Sequence, residues 1–460
     1  MLYNKSYSCK KINLSFIKDL QKLIKQPSIS SKNFGLIECA NLLAQIMNKS
    51  GIQTELIFLE KDNRKIPPII FGEVRSQQNP QGKTILFYNH YDVQPIEPAH
   101  MWQRNPFSGE IEGNKIFGRG SSDDKGEIIC RIRAVEELLK RNGGDLPCNI
   151  KFVIEGEEEI GSPNLYKYLQ KIKHKIQNDG MIWEFGYVDW NNRPVINLGM
   201  KGMLYVHFIS HGPSVDLHSS LAVIVKNPAW NLLKALNSIW DNTKGHILIK
   251  GWYDEISSIS TPNKSGTLTE VNFNEKEFKQ KYNIKHFLGN KKGNQIKYAL
   301  SEMPSCNISS FSAGYLGEGS KTIIPSYAQS KIDFRLVPKM DPEKHFSKLK
   351  KHLHENNFSD IEIKYLHGIK PSRTNITNSF VKMIIKSANL IYGKKPIVNP
   401  SSAGSGPMSL FTDLLNCPVV SIGCTPIFAN IHSVNEYARI DLLQKGIDCF
   451  INILCNMSKY

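Results

Sequence analysis

The 460-residue chain reads as an α/β protein, a mixed, mostly parallel sheet with helices on both faces, into which a smaller α+β unit is inserted. Three observations predict this. Short apolar strand patterns alternate with helical ones over roughly the first 200 residues, the texture changes between about 200 and 370, and the first texture returns from Asn378 onward. A strand–helix–strand rhythm implies parallel neighbours covered by helices. The expected boundaries are 1–199 with 374–460 for the outer unit and 200–373 for the insertion.

Taken in order, "TILFYNH" is an apolar strand. Ile128, Ile129, Ile132, Val135, Leu138 and Leu139 then recur at helical spacing, a helix read as core packing, and "NIKFVIEG" and "GMIWEFG" supply two more strands. The insertion opens with the strand "GMLYVHFIS" and the helix "PAWNLLKALNSIW", then passes through a polar stretch rich in Asn, Lys and Ser whose Lys/Asn patches read as loop. Strand "AQSKIDFRLV", helix "PEKHFSKLKKHLHEN" and strand "DIEIKYLHG" complete it. A helix after Asn378, the strand "CPVVSIG" and the amphipathic "RIDLLQKGIDCFINILCNM" close the outer unit.

Composition narrows the function. With 40% hydrophobic and 22% charged residues the chain is long enough to bury a site. Its 58 Lys and Arg against 42 Asp and Glu leave a formal charge of +16, but the cations are scattered and no recognition motif accompanies them, so a solvated surface is expected and no nucleic-acid partner. Nine cysteines at irregular spacing, with no C-x-x-C pair, exclude a disulfide framework and a thiolate zinc site and suit a reducing compartment. The N-terminal stretch lacks a signal-peptide core, and no window approaches ~18 uninterrupted apolar residues; a cytoplasmic protein with no membrane partner is expected.

Chemistry gathers at strand ends. His90 and Asp92 follow "TILFYN", Glu158 and Glu159 follow "NIKFVIEG", Glu184 follows "MIW", and His432 lies shortly beyond "CPVVSIG". Ligands of open α/β sheets collect at the carboxyl ends of strands. The turn "GRGSSDDKG" adds Asp123 and Asp124 where a helix begins. So many carboxylates in one crevice cannot be buried unpaired, whereas one or two divalent cations keep them ionised. Imidazole and carboxylate without thiolate suit Zn²⁺, with Mn²⁺ or Co²⁺ as substitutes, and the number of groups favours two ions ~3.5–4 Å apart.

Seven stretches in sequence order, "NHYDVQP", "GRGSSDDKG", "EGEEEIGS", "DLHSS", "NPAW", "TIIPSYAQSKIDFRLVP" and "IHSVNE", resemble the successive signatures of the M20 family of di-zinc peptidases, whose members are carnosine dipeptidase-like and acylase-like hydrolases. The resemblance runs from about Asn89 to Glu436. It implies a zinc-peptidase-like catalytic domain with a ferredoxin-like inserted lid that forms a homodimer. It also implies that His90 and Glu184 bind one zinc, His432 and Glu159 the other, and that Asp123 bridges them. Asp92 would orient the His90 ring, and Glu158 would be the general base.

In the insertion, His218 would reach the partner subunit's site and donate to the oxyanion, and Arg335 would grip a substrate carboxylate; Thr322, Gly404 and Ser405 would contact the peptide. The chain departs from the pattern in three places. Glu184 stands where many dipeptidases carry Asp, with Asp189 as a fallback ligand; Ser220 replaces a usual Gly; and "SSAGSGPMS" lacks an acidic residue. The expected activity is hydrolysis of an amide bond in a small peptide with a free carboxylate, with deacylation of an N-acyl amino acid as the alternative.

Overall fold

A computed structural model of the protein describes residues 15–60, 65–184, 186–256 and 273–460. Residues 1–14, which include Cys9, and part of the polar stretch of the insertion lie outside them. The chain divides into two units: Met1–Leu198, Thr374–Val398 and Leu410–Tyr460 form the first, Gly199–Arg373 and Asn399–Ser409 the second.

The first unit is built on an eight-stranded sheet. At its centre the strands Asn149–Glu155, Thr84–His90, Gly180–Trp183 and Val419–Ser421 are neighbours in that order, and every pairing among them is parallel. Antiparallel strands flank this core, Ile69–Val74 and Gln53–Ile57 on one side and Val195–Asn197 on the other. The parallel strands are almost wholly buried, as near-continuous apolar runs require when both faces are covered.

Helices supply that cover. On one face Ile85, Phe87, Phe152 and Ile182 share a core with apolar residues of the helices Ser15–Lys25, Leu36–Lys49, Lys125–Arg141, Ser379–Tyr392 and Ile440–Met457. Phe87 meets Phe450 edge-on at 5.8 Å. On the other, Tyr88 stacks on Trp183 at 4.1 Å, and Phe411 of the helix Met408–Leu415 lies 5.0 Å from Tyr88. Because the four central strands run the same way, their carboxyl ends share one edge of the sheet, and the chain beyond those ends is where ligands can converge.

The second unit follows a strand–helix–strand–strand–helix–strand order. Its antiparallel sheet runs Ser305–Ala313, Tyr327–Leu336, Gly202–His211, Ile361–Ile369. Strict alternation of burial along Gly202–His211 and Tyr327–Leu336 marks a sheet with one face on a core. That face packs on Leu232, Leu236 and Ile239 of the helix Pro228–Ile239 and on Leu349 and Leu353 of Pro342–Glu355. The polar stretch is partly helical where loop was expected: Glu275–Tyr282 starts at Asn274, whose side chain accepts from the Glu277 amide at 3.2 Å, and Asn294–Glu302 follows. Among the described residues no helix is long and apolar enough to cross a membrane.

Candidate metal centre

The four parallel strands deliver their ends to one place in the first unit. His90 is the last residue of its strand, Glu184 follows Trp183 directly, Glu158 and Glu159 open a single helical turn beyond Glu155, and His432 lies in the loop after Val419–Ser421. Asp123 comes from the turn before the helix Lys125–Arg141, where Gly120 sits at φ +83° and a Cβ at Gly126 would meet the Ser121 carbonyl at 2.2 Å. The peptide between Asp123 and Asp124 is cis.

Among the described residues two groups result, His90 with Glu158 and Glu184, and His432 with Asp123 and Glu159, and in each the ligand-type atoms lie within 4.8 Å of one another. Asp123 spans both. Its Oδ1 is 3.1 Å from His90 Nε2 and its Oδ2 3.1 Å from His432 Nε2. Glu159 Oε2 is also 3.1 Å from His432 Nε2 and accepts from Gln94 at 2.8 Å, while Glu184 Oε2 is 4.0 Å from His90 Nε2.

These groups suit divalent cations. Among the described residues Glu184 Oε2 is buried with no hydrogen-bond partner, which is costly for a carboxylate oxygen unless a cation faces it. Burial pushes Glu158 and Glu184 well above the usual carboxylate range, and nearby carboxylates add to it, Glu159 and Asp123 for Glu158, Glu158 and Asp124 for Glu184. Burial would raise Asp123 as well, but the hydrogen bonds with His432 and His90 outweigh it and hold its carboxyl low. Those same contacts, Asp123 first and Glu159 second, lift His432 to about 10, the balance that a cation among the carboxylates would reverse.

Asp92 acts on both sides of the centre. Its main-chain oxygen lies 3.1 Å from His90 Nδ1 and its carboxylate 3.4 Å, so Nδ1 donates to Asp92 and the ring is turned with Nε2 toward Asp123, the nitrogen that a bound cation would take in place of its proton. The carboxylate also accepts from the amides of Glu158 and Glu159 at 3.2 and 3.0 Å, which fixes the turn that presents those two side chains in different directions. The remaining acids of "EGEEE" have other partners: buried Glu155 accepts from Tyr88 and Ser162 and is pushed up by burial to about 8, and Glu157 accepts from Asn164. Asp189 is engaged elsewhere, its carboxylate accepting from the amides of Asn191 and Arg193 and from the Arg193 guanidinium at 3.0 Å.

The helix Lys125–Arg141 does more than pack, which corrects the expectation from its apolar spacing. Arg131 is fully buried, and its guanidinium donates to the main-chain oxygens of Tyr88 and Trp183 at 2.6 and 2.5 Å, to that of Glu184, and to Asn89 Oδ1 at 2.7 Å. It thereby ties together the ends of the two strands that present His90 and Glu184. Arg131 falls three residues after Ile128 and four before Val135, on the apolar stripe, and a cation there is the signal that locates it. Glu436, the last residue of "IHSVNE", is buried and accepts from the amides of Gly120, Ser122 and Asp123 and from Arg119, holding the turn that carries Asp123.

The other expected residues lie in the second unit. His218 is exposed, and its Nδ1 accepts from the Ser220 amide at 3.2 Å with the Ser220 hydroxyl 2.8 Å away, so the ring's proton sits on Nε2. Thr322 is adjacent, its carbonyl accepting from the Ser219 amide at 3.1 Å. Arg335 projects from the face of its strand opposite the core, 3.5 Å from Asp333. Gly404 and Ser405 lie against the start of the strand Gly202–His211: the Gly404 carbonyl accepts from the Lys201 amide at 3.1 Å and Ser405 Oγ donates to the Gly202 carbonyl at 2.9 Å.

Comparison with known proteins places these observations. The pattern of peptidase family M20/M25/M40 matches residues 86–456. The chain is 29% identical over 460 residues to the Cys-Gly metallodipeptidase DUG1 of Saccharomyces cerevisiae, covering 94% of this chain and 93% of that one. It is 28% identical over 380 residues to the Beta-Ala-His dipeptidase of Homo sapiens, covering 81% and 74%. Among solved structures, the M20 family metallo-carboxypeptidase Sso-CP2 from Sulfolobus solfataricus superposes with a TM-score of 0.88 at 37% identity, covering 97% of this chain and all of that one.

Proposed function

Since the chain belongs to peptidase family M20/M25/M40 and is a metal-dependent peptide hydrolase, we propose that it is a cytoplasmic, homodimeric di-zinc enzyme that releases the residue bearing the free carboxylate from short peptides. The observation that supports this most is the pairing of two imidazole-and-carboxylate groups through Asp123, with Glu158 inside the first of them. Relatives named as dipeptidases and a carboxypeptidase favour peptides over N-acyl amino acids. Glu184 in place of Asp favours the carboxypeptidase-like substrate within that class.

His90, Glu184 and Asp123 would hold one ion and His432, Glu159 and Asp123 the other. When bound, such ions supply Lewis-acid polarisation of the scissile carbonyl and an attacking water acidic enough to ionise near neutral pH. Glu158 takes the proton of that water and returns it to the leaving nitrogen. His218, its proton on Nε2, donates to the tetrahedral oxyanion across the dimer. Arg335 matches the planar carboxylate of the substrate with a planar fork, and Thr322, Gly404 and Ser405 contact the peptide backbone.

The test is a panel of dipeptides, tripeptides, C-terminally amidated peptides and N-acyl amino acids offered to the zinc-loaded protein. Peptides with a free carboxylate should be cleaved and their amides left intact. Faster turnover of N-acyl amino acids than of any peptide would replace this assignment by deacylation.

A further inference from the structure

Two aromatic rings stand on the same loops that present ligand residues of the metal centre. Trp190 follows the short strand Tyr187–Val188 beyond Glu184, and Phe428 follows Thr425–Pro426 ahead of His432. These two strands pair in parallel, and the Ile427 amide donates to the Val188 carbonyl at 2.8 Å, so the loops leave the pair side by side. The rings stack with centroids 6.5 Å apart and planes 10° from parallel. Trp190 is 38% exposed, and Ile427, Phe428 and Ile431 are half-buried. Neither ring belongs to the core of the unit.

The backbone beneath Phe428 makes this arrangement informative. Phe428 has φ +70°, and Asn430 and His432 share the left-handed region at +57° and +58°. Asn tolerates that conformation, whereas a bulky ring does not do so without strain. The loop is pinned on either side: the Ala429 amide donates to the Pro426 carbonyl at 3.1 Å, and the Ala429 carbonyl accepts from the Tyr437 amide at 3.1 Å. Surroundings that over-determine a disfavoured conformation, for a side chain that adds little to the core, are the mark of a position kept for binding.

We propose that Trp190 and Phe428 form an apolar subsite that receives a large aromatic or branched side chain of the substrate residue flanking the scissile bond. Both loops rise from the sheet edge that carries Glu184 and His432, where a peptide engaging the centre must lie. Two parallel rings present flat apolar faces and no charge, which suits an uncharged side chain and gives nothing to glycine. This subsite rests on the peptidase assignment above and specifies the side chain for it.

The test compares kcat/KM of the zinc-loaded protein on Gly-Gly, Phe-Gly and Gly-Phe for wild type, Trp190→Ala and Phe428→Gly, with metal content and Tm measured for each. Trp190→Ala should lower kcat/KM on at least one phenylalanine peptide by about 10-fold or more and leave Gly-Gly within about 2-fold, the scale of a lost apolar contact. Phe428→Gly should show the same selectivity with Tm unchanged or raised, because glycine adopts the left-handed backbone without strain. Equal losses on all three peptides, no loss on any, or a lower Tm for Phe428→Gly would overturn the subsite. A wild type that cleaves none of the three but turns over N-acyl amino acids would overturn the peptidase assignment and the subsite with it.

Discussion

Glu158→Gln is expected to retain the full metal content and to lose at least about 10²-fold in turnover, the scale of a removed acid–base group. The substitution keeps the shape and polarity of the side chain and removes only its capacity to take a proton. Geometry leaves a rival, because Glu158 lies in the same group as His90 and Glu184 and could be a ligand. The turn that carries it fixes which group it joins. Asp92 fixes the amides of Glu158 and Glu159 together, which sends Glu159 to His432 and Glu158 to the opposite group, where His90 and Glu184 stand beside the shared Asp123. Elemental analysis beside steady-state rates decides it: a loss of metal in proportion to the loss of rate would make Glu158 a ligand.

Mixing two dead variants should restore activity. In the proposed mechanism His218→Ala removes the oxyanion donor and Glu158→Gln the base, and the two residues lie in different units of the chain. If His218 serves the neighbour's centre, a heterodimer of the two variants contains one site with both groups intact and should recover about half of the wild-type rate per dimer. The His218 ring is already set for the role, since the Ser220 amide occupies Nδ1 and leaves the donor on Nε2. A mixture that stays inactive after subunit exchange has been verified by mass spectrometry would place His218 in its own chain's site or outside the reaction.

Much of the fold, and the gathering of ligand-type residues at one sheet edge, was legible in the sequence, for physical reasons. Strands buried on both faces must be apolar throughout, so "TILFYNH", "NIKFVIEG" and "MIW" announce themselves, and the residues that end the pattern stand at the sheet edge. The flanking strands are harder to see: Gln53–Ile57 is half exposed and Val195–Asn197 has three residues, too few for any periodicity. Supporting charges were the least visible. Arg131 and Glu436 are buried because several backbone groups converge on each, and a count of charged residues assigns such side chains to the surface by default. A lysine- and asparagine-rich stretch looks like loop until a capping asparagine starts a helix in it, as Asn274 does.

The most direct test is anomalous diffraction at the zinc edge from crystals of the zinc-loaded protein. Two peaks per chain should appear, one within ~2.0–2.2 Å of His90 and Glu184 and the other at the same distance from His432 and Glu159, with Asp123 reaching both. A single peak, or a peak coordinated by Asp189 in place of Glu184, would contradict the two-ion centre proposed for these residues.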